Sequence, residues 1–376
     1  MVLENVELLN FRNYSYLNLP VKDDLLLIGP NAQGKTNLLE AIYFASWDGS
    51  FRRIRPDDPI NWQKNSAKIE ISLKKQEGTR EVLTVIFKRG AKQEYFFNKK
   101  SLSRKADLSK HLTAFYFSPL IDRYIHEEPA YRRKMFDLII SQKYRNYGGL
   151  ILIYSKILKN RNFLLKKAKF SDLEVWNESL IKVGSEIILR RVLFYREINR
   201  LLKAIYSEIS KGSDNDKVSL FYRSPVLMAG NLEMGSVGSV AEIAEVFQKD
   251  LKKTEGLERK LKLTLTGPQR DEVVFFKENR DLKFFSSRGE GFKVVMALKI
   301  AQGDYLGNNE NRAVFLVDDL LQDLDEEKSR LFLKALRKRG QVIITVVQGK
   351  SLPEEIFSSF QKFLVKNGEV REWSRE

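Results

Sequence analysis

Leu25-Leu26-Leu27-Ile28-Gly29-Pro30-Asn31-Ala32-Gln33-Gly34-Lys35-Thr36 is the stretch on which the fold turns. Its four leading apolar residues form a short continuous run, the pattern of a strand buried on both faces of a parallel sheet. The eight residues from Gly29 to Thr36 fit G-x-x-x-x-G-K-[ST]. Residues 37–46, with Leu38, Leu39, Ile42 and Tyr43 on one side, read as a helix. Strand, glycine loop and helix in that order are the setting this motif requires. The glycines let backbone N–H groups turn inward around phosphate oxygens, and the helix N-terminus adds positive potential. Lys35 brings a point charge to the β- and γ-phosphates, and Thr36 can ligate Mg²⁺. The ligand expected at Gly29, Pro30, Asn31, Ala32, Gln33, Gly34, Lys35, Thr36 and Asn37 is therefore a nucleoside triphosphate with Mg²⁺.

A phosphate loop needs an acidic partner for the metal. Ala313-Val314-Phe315-Leu316-Val317-Asp318-Asp319 supplies it, an apolar strand that ends in two carboxylates. Asp318 is placed to hold Mg²⁺, directly or through water, and Asp319 to orient an attacking water beside the γ-phosphate. The catalytic assignments are thus Asp319 and Lys35, and the metal assignments Thr36 and Asp318.

Between these half-motifs the texture changes. Strand-like alternation covers 67–73, 82–87, 94–97 and 115–117, and apolar residues recur at helical spacing over about 130–209. The glycine-rich stretch 230–238 reads as a loop, 261–265 as a strand, and Phe275-Phe276, Glu278-Asn279 and Phe284-Phe285 as a hairpin. A helix over 291–305, a strand over 313–317, a helix over 326–338 and a strand over 342–346 complete the pattern, and the C-terminal tail shows none. The fold class expected is α/β, with one lobe formed by 1–118 and 255–376 and a mostly helical lobe, 119–254, inserted between them.

Across 376 residues the formal charge is +16, with hydrophobic content of 43% and charged content of 30%, the composition of a soluble globular protein. A field of that sign attracts polyanions, of which nucleic acid is the commonest in a cytoplasm. The absence of cysteine excludes disulfides and thiolate metal sites, and His111 and His126 are too isolated for zinc. No apolar run reaches the roughly 20 residues of a membrane span, and the N-terminus lacks a secretory layout. A cytoplasmic location without a membrane partner is expected. Candidate DNA contacts are Arg52, Arg53 and Arg55, then Lys156, Lys159, Arg161, Lys166, Lys167 and Lys169; any single one reads at least as well as part of a solvated basic face, and the group is better placed than its members.

Asn10-Phe11-Arg12-Asn13-Tyr14 ahead of the phosphate loop and Ser50-Phe51-Arg52 after it resemble the opening of the RecF family. Ser118-Pro119, Arg132-Arg133, and Tyr154 followed by Leu158-Lys159-Asn160-Arg161-Asn162 continue the likeness. Gly267-Pro268-Gln269-Arg270-Asp271 resembles that family's GPxRD element. Ser287-Arg288-Gly289 before Ala297-Leu298-Lys299-Ile300-Ala301-Gln302 is similar to its ABC-type signature, and Asp323-Leu324-Asp325 to its D-loop. Glu290 stands where the signature usually carries glutamine, and Gln322 where the D-loop carries serine.

The resemblance implies an ABC-type P-loop ATPase head with an inserted, mostly helical second lobe. It implies an ATP-dependent homodimer in which Ser287 and the Gly289 backbone complete the partner's phosphate site, with Arg12 and Asn13 lining the nucleotide. It further implies a slow ATPase that binds duplex DNA near single-strand gaps and, with RecO and RecR, promotes RecA loading. An SMC-type clamp would separate the half-motifs by far longer heptad stretches. A metabolic P-loop kinase would lack the signature and the D-loop, and a transporter subunit would carry a closer LSGGQ and a histidine switch. An SMC-related or stand-alone P-loop NTPase without the gap-repair role, and a DNA-binding subunit that holds ATP with negligible turnover, remain alternatives.

Overall fold

The computed structural model describes residues 2–46, 51–52, 55–75, 77–102, 105–121, 123–210, 217–285, 288–307, 313–321, 324–347 and 353–374. The chain divides into two compact units, the first formed by 1–121, 208–211 and 307–376, the second by 122–207 and 212–306. The junction expected at 254/255 falls inside a continuous helix of the second unit, and the helix that follows the signature also belongs there. The inserted lobe is therefore longer than the sequence pattern indicated.

The first unit opens with an antiparallel sheet. β1 (Val2–Phe11) pairs with β2 (Tyr14–Pro20). β3 (Leu25–Gly29) enters a different sheet and leads into α1 (Lys35–Phe44). β4 (Ser66–Lys74), β5 (Arg80–Lys88), β6 (Glu94–Phe97) and β7 (Lys100–Ser101) return to the first, whose order is β2-β1-β4-β5-β6-β7. β4 and β5 bury every second residue, as strands with one face on a core do. β8 (Ala114–Phe117) closes this half.

The second unit begins with α2 (Arg123–His126), α3 (Pro129–Lys143), α4 (Tyr147–Lys166) and the long α5 (Leu173–Ser210). β9 (Val218–Arg223), α6 (Pro225–Ala229) and α7 (Val240–Leu261) follow. β10 (Glu272–Lys277), β11 (Arg280–Asp281), α8 (Leu282–Phe285) and α9 (Arg288–Leu306) complete it. Two expectations fail here. Residues 262–265 form no strand, because side chains take their backbone donors: Asn162 Oδ1 accepts from Thr264 N at 2.8 Å and Glu258 Oε1 from Leu265 N at 2.7 Å. The hairpin turn does form, with Glu278 and Asn279 at φ 50° and 63°, but Phe284-Phe285 lie in α8 rather than on its return strand.

The chain re-enters the first unit as β12 (Ala313–Asp318), α10 (Glu326–Arg337), β13 (Gly340–Val347), α11 (Glu354–Ser358), β14 (Gln361–Lys366) and β15 (Glu369–Glu372). The second sheet runs β15-β14-β3-β13-β12-β8 and is parallel from β14 to β8. β3 and β12 are buried along their whole length, and this accounts for their unbroken apolar sequence. The tail without a pattern supplies β14 and β15, the edge beside β3. No helix among the described residues is long and apolar enough to cross a membrane.

The second unit carries a buried ionic hub. Arg191 reaches Asp271 at 2.6 Å and Asp137 at 2.8 Å, and donates to the Pro268 carbonyl at 2.7 Å. Tyr147 donates to Asp137 at 2.6 Å, and Tyr222 donates to Asp271. The Gly267–Asp271 element is thus a structural clasp. Removing one partner of a buried pair costs about 3–5 kcal/mol, because the other charge stays desolvated. Asp271→Ala is expected to destabilise this unit by about that amount, read as a lower urea midpoint. An unchanged midpoint would show that losing Asp271 leaves no desolvated, unpaired charge at Arg191.

Candidate nucleotide-binding site

The phosphate loop is shaped by backbone positions that few residues tolerate. A Cβ on Gly29 would sit 2.2 Å from the Val365 carbonyl oxygen of β14, so only glycine lets the two strands approach. Ala32 and Gly34 have φ of 62° and 119°, the left-handed region that turns successive N–H groups toward one side. No side chain caps α1 at Gly34 and no acidic residue lies in its first turn, so its positive end is kept for an anion. Lys35 is buried, and its Nζ donates to the Gly29 and Pro30 carbonyls at 2.7 and 2.9 Å. Burial lowers the Lys35 pKa, and the charges of Asp319 and Asp318 oppose that shift.

β12 delivers the acidic half of the site. Asp318 Oδ1 accepts from Thr36 Oγ1 at 3.1 Å and from Thr345 Oγ1 at 2.8 Å, and Oδ2 accepts from the Tyr116 hydroxyl at 2.7 Å. Asp319 is left-handed at φ 49°, a conformation that aspartate adopts more readily than most residues other than glycine, and its N–H donates to Thr345 Oγ1 at 2.9 Å. Burial, then the Asp318 charge, pushes the Tyr116 hydroxyl far above its ordinary pKa, so it remains a donor. Thr36 and Asp318 together offer a hydroxyl and a carboxylate oxygen. That hard-oxygen pair suits Mg²⁺, which keeps its other positions for water and phosphate.

The flank of the loop is tied to α1. Arg12 grips Glu40 with two bonds, at 3.0 and 2.9 Å, and donates to the Asp58 carbonyl at 2.9 Å. Arg52 also reaches Glu40 at 3.3 Å, and it donates to Asn37 Oδ1 at 3.0 Å. Asn37 donates to Asn13 Oδ1 at 2.8 Å, and Asn13 donates to the Gln33 carbonyl at 3.0 Å. The β14–β15 turn closes the other side, where Gly368 N donates to the Gln33 carbonyl at 3.1 Å and Asn367 N to Gln33 Oε1 at 2.7 Å. Phe51 stacks on Tyr116 with ring centroids 3.5 Å apart.

Lys35, Thr36, Asn37, Arg12, Asn13, Asp318 and Asp319 are thus gathered in the first unit. Gly289 lies in α9 of the second unit, with open space where a Cβ would stand, and Ser287 is outside the described residues. The negative charge of Glu290 is paired with Lys277 at 3.0 Å. Lys156, Lys159, Lys166 and Lys167 are exposed along α4 and just beyond it, as is Lys169. Arg161 is not part of that face. It is 1% exposed, bonded to Glu258 at 2.5 Å, Thr264 at 2.7 Å and Asn177 at 2.7 Å, and is withdrawn as a DNA contact. Arg52 is committed to Glu40 and Asn37, Arg55 is exposed, and Arg53 lies outside the described residues.

Glu40, Tyr116, Thr345, Asn367 and Gly368 are site residues that sequence reading missed. Thr345 had a signal, a hydroxyl inside the otherwise apolar Val342-Ile343-Ile344-Thr345-Val346. Glu40 had none, because it lies away from the side formed by Leu38, Leu39, Ile42 and Tyr43, and only the fold buries the helix on that flank as well. The β14–β15 turn had none, because its contacts to Gln33 cross the whole chain.

Residues 2–368 match the RecF/RecN/SMC N terminal domain family. The DNA replication and repair protein RecF of Geotalea daltonii is 32% identical over 98% of this chain and 100% of its own length. The protein of the same name from Bacillus subtilis is 29% identical over 98% of this chain and 99% of its own. A solved structure of the recombination mediator protein RecF-ATP in the RecFOR pathway superposes with a TM-score of 0.85 and 28% identity, covering 99% of this chain and 98% of that one. An Smc head bound to the C-winged helix domain of ScpA shares the fold, with a TM-score of 0.56 and 15% identity over 100% of this chain and 98% of that one. With an ABC-type head, a phosphate loop backed by paired aspartates and full-length likeness to these relatives, the chain belongs to the RecF family.

Proposed function

We propose that this chain is an ATP-dependent DNA clamp of recombinational repair, acting in the cytoplasm, that closes as a homodimer on ATP and is reset by slow hydrolysis. The observation that carries this reading is the meeting of Thr36 with Asp318 at 3.1 Å, which joins the phosphate loop to the aspartate pair from the far end of the chain. The relatives' name and the ATP-bound structural neighbour support it.

In this reading the loop amides, the α1 N-terminus and Lys35 bind the triphosphate. Thr36 and Asp318 hold Mg²⁺, and Asp319 orients the attacking water from its left-handed position. ATP·Mg²⁺, when bound, supplies the phosphoanhydride whose cleavage ends closure. Ser287 and the Gly289 amide of a second copy cover the γ-phosphate, and the pairing of Glu290 with Lys277 removes much of the repulsion a bare carboxylate would bring there. The closed dimer holds duplex DNA near single-strand gaps through the exposed lysines of α4, and works with RecR and RecO toward RecA loading.

Three variants separate the steps. Lys35→Ala is expected to weaken ATP binding roughly 10- to 150-fold, the worth of a charged hydrogen bond. Isothermal titration with ATP and Mg²⁺ measures this, and wild-type affinity would refute the site. Asp319→Asn, a residue that also tolerates the left-handed backbone, should bind ATP normally yet hydrolyse it about 100-fold more slowly or worse. Unchanged phosphate release would remove Asp319 from the chemistry. Ser287→Arg should bind ATP but stay monomeric by light scattering under conditions in which the wild type dimerises. An ATP-dependent dimer of that variant would mean that Ser287 is not at the interface.

A further inference from the structure

Trp62 is 94% exposed, the highest value for any large hydrophobic side chain among the described residues. Such a ring normally buries about 150–250 Å², and here nearly all of that surface is available for contact. The turn beneath it is held by several contacts. Ile60 is buried and bridges to Phe11, Asn61 N donates to the Asn10 carbonyl at 2.9 Å, and Asn61 Nδ2 donates to the Arg12 carbonyl at 3.0 Å. The Arg89 guanidinium donates to the carbonyls of Lys64 at 2.8 Å, Trp62 at 3.1 Å and Asn61 at 3.3 Å, which locks the turn from the neighbouring strand end.

The surroundings indicate what the ring would meet. Arg89 lies against the Trp62 backbone, and Arg55, Lys64 and Lys92 are exposed on the same loops. The nearby acids hold backbone amides: Asp58 accepts from Arg55 N at 2.8 Å and Asp57 from Gly90 N at 3.3 Å. A tryptophan that anchors a protein partner sits within an apolar rim that excludes water. Here the sequence neighbours Asn61, Gln63 and Lys64 are polar, and the closest apolar one, Ile60, points inward. A flat ring in a positive field is the chemistry that binds a single strand, with stacking on the base face and cations along the phosphates. Duplex bases are already stacked and offer no free face.

We propose that Trp62 is a stacking platform for an unpaired nucleobase, with Lys64 and Arg89 supplying the field for its phosphates, so that the first unit binds single-stranded DNA at this loop. This deepens the DNA-binding reading given above and rests on it. The test uses the full chain and fluorescence anisotropy of a labelled oligothymidylate and of a duplex of equal length, at one fixed salt concentration. Trp62→Ala should weaken oligothymidylate binding by about tenfold, within the roughly 5- to 150-fold worth of one stacked base, and leave duplex binding unchanged. Trp62→Phe should restore most of the affinity. An unchanged Trp62→Ala on oligothymidylate, an equal loss on duplex, or a Phe variant as weak as Ala would overturn the assignment while leaving DNA binding intact. A wild-type chain that binds neither probe would overturn the DNA reading and this one with it.

Discussion

The Asp318 carboxylate takes hydroxyl hydrogen bonds from Thr36 on α1, Thr345 on β13 and Tyr116 on β8. Asp318 itself ends β12, so four elements of the first unit converge on one charge. Removing a carboxylate from water costs several kcal/mol unless donors replace the lost hydration, and here three hydroxyls do so. The arrangement constrains the strand ends that carry the donors and leaves Thr36 and Asp318 in contact. The Thr36–Asp318 contact is therefore assembled by the same bonds that order the end of the sheet.

A second charge organises the flank. Glu40 is fully buried in α1, and the Arg12 fork neutralises it with help from Arg52. Arg12 is left-handed at φ 53°, a conformation held by both ends of its contacts. Its N–H donates to the Pro59 carbonyl at 2.8 Å, and its carbonyl accepts from Asn61. One residue thus joins the β1–β2 turn, the nucleotide helix and the loop that presents Trp62. Two consecutive sets of hydrogen bonds, Glu40 to Arg12 and Arg12 to Pro59 and Asn61, therefore connect α1 to that loop.

The second unit uses buried charge differently. Arg191 with Asp137 and Asp271, and Arg161 with Glu258, sit in its interior with hydrogen bonds to most of their polar atoms. Such pairs contribute little net stability over apolar packing but penalise any arrangement that leaves one partner alone. They fix how α3, α4, α5, α7 and the Gly267–Asp271 element meet, in a unit made mostly of helices.

The sequence by itself determined the phosphate loop, the aspartate-tipped strand and the main helices, because each rests on local periodicity or on a backbone shape that only particular residues allow. Gly29, Gly34 and the apolar runs of β3 and β12 carry that information within a few residues of where it acts. Tertiary structure alone decided the rest. Arg161 reads as one more basic residue of α4 until Glu258, 97 positions away, is brought beside it. Residues 262–265 read as a strand until side chains claim their amides. The tail shows no pattern because β14 and β15 are short, and β14 is defined by pairing with β3 rather than by its own periodicity. Whether a polar or aromatic side chain serves the core, the site or the solvent depends on partners distant in sequence. The sequence alone did not reveal that Thr345 stands beside Asp318 or that Trp62 is left in water.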